Sequence, residues 1–188
     1  MTGTDRTGTE PAHDVGGGGL PATVTEAGGE LPGAASGPIS VDPRSRAQRR
    51  RDTERRLTSD VDVWVATASS DGAPYLVPLS LDWDGKALLM ATPTDSPTGR
   101  NLAATRAVRL GLGHTRDVSM IEGEVEVLGI DALPQERGDR FAARTGFDPR
   151  ALATPYRWFR ISPRRIQAWR EADELPGREL MRDGRWLV

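Results

Sequence analysis

The sequence predicts a small antiparallel β fold, an all-β barrel or an α+β roll, and three observations predict it. Short runs rich in β-branched and aromatic residues are punctuated by the turn signals Asp71-Gly72, Asp84-Gly85 and Asp183-Gly184. One run is long enough to show both faces. Glu122, Glu124 and Glu126 share one, and Ile121, Gly123, Val125 and Val127 share the other, which is the period of two that a strand imposes. The helical patterns are few and short, as expected of helices flanking a sheet.

The elements follow in order. Asp42-Pro43 predicts a helix start, with Asp as the cap and Pro in the first turn, and a helix over Arg44 to Leu57. Val61 to Thr67, Tyr75 to Trp83 and Ala87 to Thr92 predict a three-strand meander joined by the first two Asp-Gly turns. Ser96-Pro97 is a second cap and first-turn proline, leading to a short helix through Arg100 to Ala104. Ala107 to Leu112 and Val118 to Leu128 are the next strands, and Pro134 to Thr145 a helix with Phe141 and Ala142 on its apolar side. Trp158 to Ser162 and Arg165 to Arg170 supply the last sheet material, and Asp183-Gly184 a small terminal hairpin before Trp186.

Composition narrows the chemistry. Residues 1–43 are rich in Gly and Pro and precede the first aromatic residue, Trp64. Such a segment buries too little apolar surface to offset its ordering entropy, so a disordered tail is expected before a single domain at 44–188. The chain has no cysteine and two histidines, His13 and His114. That excludes disulfides, thiolate metal sites, cysteine nucleophiles and multi-histidine metal centres. No metal site is expected. A net charge of −2 does not favour nucleic acid. The arginine run from Arg44 to Arg56 reads as a solvated helix face, the Glu122-Glu124-Glu126 stripe as the wet face of a strand, and His114 as a surface turn residue. No apolar run reaches the roughly 18 residues of a membrane span, and there is no basic-then-apolar leader pattern, so a cytoplasmic protein without membrane contact is expected.

From about Arg49 to the C-terminus, the order of motifs resembles one family. After the helix and meander come Ser96-Pro97-Thr98-Gly99-Arg100-Asn101-Leu102, the strand Glu122-Gly123-Glu124-Val125-Glu126, a helix, and Phe159-Arg160-Ile161-Ser162-Pro163 with Arg165-Ile166-Gln167-Ala168-Trp169. This is similar to the pyridoxamine 5'-phosphate oxidase-like split barrels. The resemblance implies a six-stranded antiparallel split β-barrel with short flanking helices, mainly β within the α+β class, that binds FMN and forms a homodimer. It also departs from the family's oxidases. Pro97-Thr98 stands where they carry a basic pair, Ser80 where they carry a strand lysine, and Pro176 where they carry a substrate-binding histidine. A substrate other than vitamin B6 phosphate is therefore implied.

The candidate cofactor residues come from both sources. Thr92, Thr94, Ser96, Thr98, Arg100 and Asn101 form a hydroxyl-rich turn into a helix start. Free N–H groups and the helix dipole favour an anion there, and Arg100 offers a bidentate partner. The resemblance places the flavin ring against the backbone of Tyr75, Val77, Pro78 and Leu79, where Pro78, lacking an N–H, suits an edge. It further implies Trp169 beside the ring and Arg178 bonded to it. No catalytic residue is singled out. The expected function is FMN-dependent oxidation or reduction of a small molecule, since the cofactor carries the hydride chemistry that these side chains lack. The alternatives are a deazaflavin-dependent reductase and a non-catalytic dimer that binds flavin or haem.

Overall fold

The computed structural model describes residues 42–188. Most of the expected tail thus lies outside the described residues. The described part is a nine-stranded antiparallel sheet with three α-helices.

Helix α1 (Arg46–Ser59) starts later than expected. Its cap is Ser45, whose hydroxyl accepts from the Gln48 N–H at 3.2 Å, and Asp42 is exposed and outside the helix. The reason is that the Arg44 side chain is pulled inward onto Glu174 and fixes the preceding backbone as an extended lead-in. The strands are β1 (Asp62–Ala68), β2 (Pro74–Ser80), β3 (Asp82–Trp83), β4 (Leu88–Pro93), β5 (Ala107–His114), β6 (Asp117–Leu128), β7 (Tyr156–Trp169), β8 (Glu179–Arg182) and β9 (Arg185–Trp186). Helices α2 (Pro97–Thr105) and α3 (Gln135–Thr145) lie close to the expected positions.

Strand order is β2-β1-β5-β6-β7-β4-β3, with the hairpin β8–β9 attached to β7. The expected three-strand meander is half right. β1 and β2 form the first hairpin, but the second strand breaks at Leu81, whose side chain is fully buried and whose N–H bonds to the Val61 carbonyl at 2.8 Å. Beyond the break β3 pairs with β4, while β2 has no ladder to β4. Pro78 and Pro93 have no N–H to offer such a ladder. The bent ribbon 74–83 therefore belongs to both ends of the sheet and curls it on itself. Counted as one strand, it leaves six around the barrel, split between β2 and β4.

The end of the chain also differs from expectation. The two last strands are one, β7, which continues through Pro163. Glu122 pairs with Arg165 and Gly123 with Pro163, leaving Arg164 as the extra residue of a bulge. A side chain at Gly123 would come within 2.5 Å of the Ile161 side chain, so the bulge needs glycine there.

The barrel interior is filled by Val65, Leu88, Met90, Leu110, Ile121 and Phe159 with their neighbours. A second, smaller core lies under α3. There Phe141 meets Trp158 edge-to-face at 5.0 Å, and the Trp158 indole donates to the Ile130 carbonyl at 2.9 Å. β4 is buried on both faces because it lies between these two cores.

Candidate functional site

The expected cofactor residues fall into two groups at opposite ends of β7. Pro93 pairs with Tyr156 at its start, and Val118 pairs with Trp169 at its end. At 3.2–3.4 Å rise per residue, up to about 40 Å of strand separates the two.

At the Tyr156 end, Pro78, Leu79 and Thr92 line one cleft of about 270 Å³ in the split between β2 and β4. Its outer wall is aromatic: Phe141 from α3, Phe147 just beyond it, and Tyr156, with the last two rings 5.5 Å apart. Sequence reasoning placed Phe141 in a helix core and missed Phe147 and Tyr156. Ser80, also lining the cleft, donates to Asp62 at 2.8 Å. Tyr75 is exposed and Val77 half-buried on the same strand, outside this cleft.

The turn into α2 is compact. The Ser96 hydroxyl caps the helix by accepting from the Gly99 N–H at 2.9 Å, donates to the Pro93 carbonyl at 2.9 Å, and lies 3.0 Å from the Thr92 hydroxyl. A Cβ at Gly99 would sit 2.3 Å from the Pro93 carbonyl oxygen, so the loop folds against the first turn of the helix. Thr98 is buried and Thr94 half-buried. The Asn101 amide donates to Thr67 at 3.1 Å and ties α2 to β1. Arg100 is exposed and folds back to donate to the Asp95 carbonyl.

At the other end, the Arg178 guanidinium lies 5.6 Å from the centre of the Trp169 ring. With its amide oxygen turned toward them, Gln167 accepts from Arg178 Nε and Arg165 at 3.1 Å each. The loop between Trp169 and Arg178 is secured by charges. Glu174 is buried and accepts from the Arg44 N–H, from Arg44 Nε and its terminal nitrogen, and from the Arg170 N–H, all between 2.8 and 3.0 Å. Hydrogen bonding from Arg44 lowers the Glu174 carboxyl to about 2, against the opposing effect of burial. Arg44 also pairs with Asp52 and Asp117, and Asp117 with Arg56 and Arg170. The expectation of a wholly solvated arginine face is thus corrected: Arg44 and Arg49 are buried because carboxylates and carbonyls distant in sequence meet them. The Glu122-Glu124-Glu126 stripe is on the outer face, paired with Arg109, Arg164, Arg165 and Arg160.

The outer sheet face carries Trp64 at 53% and Leu76 at 58% exposure, above a hollow of about 250 Å³ that includes Met120 and Val118. His114 is exposed at the end of β5, as expected of a surface residue. Among the described residues no group of histidine or acidic side chains is placed to hold a metal, and no helix is long and apolar enough to cross a membrane.

With this geometry in view, residues 53–170 match the model of the pyridoxamine 5'-phosphate oxidase family. The chain belongs to that family. The match begins inside α1 and ends just past Trp169, so it includes the cleft and the whole of β7 but not Arg178. Solved structures agree on the fold. An F420 reductase superposes with a TM-score of 0.50 over 60% of this chain and 94% of its own, at 21% identity. HutZ, the haem storage protein of Vibrio cholerae, gives 0.51 over 64% and 94% at 12% identity. HupZ of Group A Streptococcus gives 0.50 over 63% and 94% at 19% identity. No curated protein matches the chain by sequence.

Proposed function

We propose that this chain is a homodimeric flavin-dependent oxidoreductase that uses FMN to oxidise or reduce a small apolar or aromatic molecule. The observation that carries the reading is the cleft between β2 and β4, with the turn into α2 in the same part of the barrel. Its walls suit a planar ring. Pro78 and Leu79 form one side, Phe147 and Tyr156 the other, and the backbone beside Pro78 has no ladder partner in β4. A bound isoalloxazine supplies the hydride acceptor and donor; the protein's part is to bind, orient and shield it. In this reading Tyr75, Val77, Pro78 and Leu79 flank the ring. Thr92, Thr94, Ser96, Thr98 and Asn101 shape the phosphate end, and Arg100 swings from the Asp95 carbonyl to the phosphate.

Trp169, at the far end of β7, and Arg178 beside it are too far from the cleft to meet the same mononucleotide within one chain. A second copy would bring its own Trp169 and Arg178 to the first copy's cleft. The exposed Trp64 and Leu76, which line one hollow on this face, give that copy an apolar surface to cover. A cytoplasmic setting is in keeping with this chemistry.

One observation favours a second reading, a deazaflavin coenzyme in place of FMN. Pro97-Thr98 leaves Arg100 as the one cation of the turn itself, with Arg157 opposite Thr92 on β7, and the Ser96 hydroxyl is already engaged by the Pro93 carbonyl, the Gly99 N–H and the Thr92 hydroxyl. The F420 reductase shares the fold. A haem reading, prompted by HutZ, has less support, because the one histidine of the described residues, His114, is exposed and outside the cleft. Titration of the protein with FMN and with a deazaflavin coenzyme, followed by fluorescence, separates these readings. Saturable binding of FMN, tighter than of the deazaflavin, is expected; binding of the deazaflavin alone would replace the first reading with the second.

A further inference from the structure

We infer that the arginine-rich start of α1 is a positioning clamp for the part of the cofactor site carried by Trp169 and Arg178, an inference that rests on the flavin reading above. The segment between those residues has a single 3-10 turn, Ala172–Glu174, and no ladder of its own, so side chains share with a few backbone bonds the setting of its shape. Those side chains come from one place. Arg44 takes both oxygens of Glu174, Arg49 donates to the Ala168 carbonyl at 3.3 Å and the Glu174 carbonyl at 2.8 Å, and Arg46 donates to the Glu179 carbonyl at 2.8 Å. Two of these contacts fall on Ala168 and Glu179, the residues immediately flanking Trp169 and Arg178, and the rest on Glu174 midway between them.

Within the loop the geometry is closed as well. Ala168 N–H bonds to the Arg178 carbonyl at 2.9 Å, and Arg178 N–H to the Leu175 carbonyl at 3.3 Å. Gly177, at φ +65°, turns the chain beside the Arg46 side chain, which a Cβ there would meet at 3.4 Å. A buried ion cluster is a poor way to gain stability, because apolar residues of similar volume would do as well or better. What it adds is direction. Each guanidinium fork donates to its partners in one plane, and so holds the Arg178 guanidinium over the Trp169 ring rather than merely near it. Arg44, Arg49 and Glu174 are positioning residues: they act on the cofactor only through Trp169 and Arg178.

The test uses the full chain with riboflavin and FMN as probes. Glu174→Gln keeps the shape and removes the charge, and Arg44→Lys keeps the charge and removes the fork. Titrations are run well below each variant's unfolding midpoint. If the loosened loop holds the binding geometry about a tenth of the time, both probes weaken about tenfold in Glu174→Gln, by the same factor because the loop meets the ring and not the phosphate. Arg44→Lys shows the same pattern to a smaller degree. In a Trp169→Ala, Arg178→Ala background, Glu174→Gln changes neither affinity, a result that a purely structural role would not produce. Wild-type binding with unchanged affinity in both single variants overturns the clamp alone, as does an undiminished effect in the double-alanine background. Absence of binding of both riboflavin and FMN by the wild type overturns the flavin reading and the clamp together.

Discussion

At the Tyr156 end of β7 the candidate site is walled by apolar strand residues and aromatic rings, whereas at the Trp169 end it is fixed by buried arginines and carboxylates. The first kind of wall acts through area and shape and gives way by small shifts in packing. The second acts through directed, charge-assisted bonds and fails when any partner is lost. One long strand thus joins a region suited to accepting a ring with a region suited to holding a few atoms in place. Substitutions at the two ends should therefore differ in kind.

The largest effect is expected where the charges are buried. Arg44→Ala leaves Glu174 and Asp52 without their shared partner and should cost about 3–5 kcal/mol, read from denaturant unfolding. The same carboxylate makes an acid signature. Glu174 sits near 2 in the folded chain against an ordinary 4.5. Its contribution is therefore complete above pH 4.5 and is lost as pH falls toward 2. Wild type should lose stability across that window more steeply than Glu174→Gln, and parallel slopes would remove Glu174 from the account.

Next comes the outer sheet face. Trp64→Glu puts a charge at the centre of the exposed apolar patch and should cost the proposed dimer about 2 kcal/mol of association, seen as monomer in sedimentation. An unchanged sedimentation profile would place the dimer contact elsewhere.

Arg144 belongs to α3, the helix at the aromatic end. It donates to the carbonyls of Leu57, Thr58, Asp60 and Leu81, and so joins α3, which carries Phe141, to the C-terminus of α1. Arg144→Ala should cost about 1–3 kcal/mol, since several carbonyls lose their partner, with no change in the slope of stability against pH between 2 and 4.5 that marks the other end.

The smallest effect is expected at Arg100, which is exposed. Arg100→Ala should weaken FMN about tenfold and leave riboflavin, which has no phosphate, unchanged. Equal losses for both would mean that Arg100 does not meet the phosphate.

Much of the fold was legible because it rests on local chemistry. The Asp-Gly turns, the Ser96-Pro97 cap and the alternation around Glu122 each act within a few residues, and the structure has them all. What was not legible depends on distant partners. The break at Leu81 is set by Val61 and by the Asp82 carboxylate, which Arg137 and Arg140 of α3 draw in. Arg44 looks like any solvated arginine until Glu174, remote in sequence, lies beside it. The candidate site divides in the same way. Pro78, Leu79 and Thr92 were legible and do line the cleft, whereas Phe147 and Tyr156 carry no local signal beyond being aromatic and meet only through the packing of α3 on β4 and β7.

The central claim is that the cleft holds an isoalloxazine-type ring. Its most direct test is the absorption spectrum of the protein as purified, with mass identification of whatever is released on denaturation. The account predicts flavin absorption and the release of FMN, in substoichiometric amounts if the phosphate is weakly held. A Soret band with released haem, or no chromophore together with no binding of added FMN or deazaflavin, would contradict it.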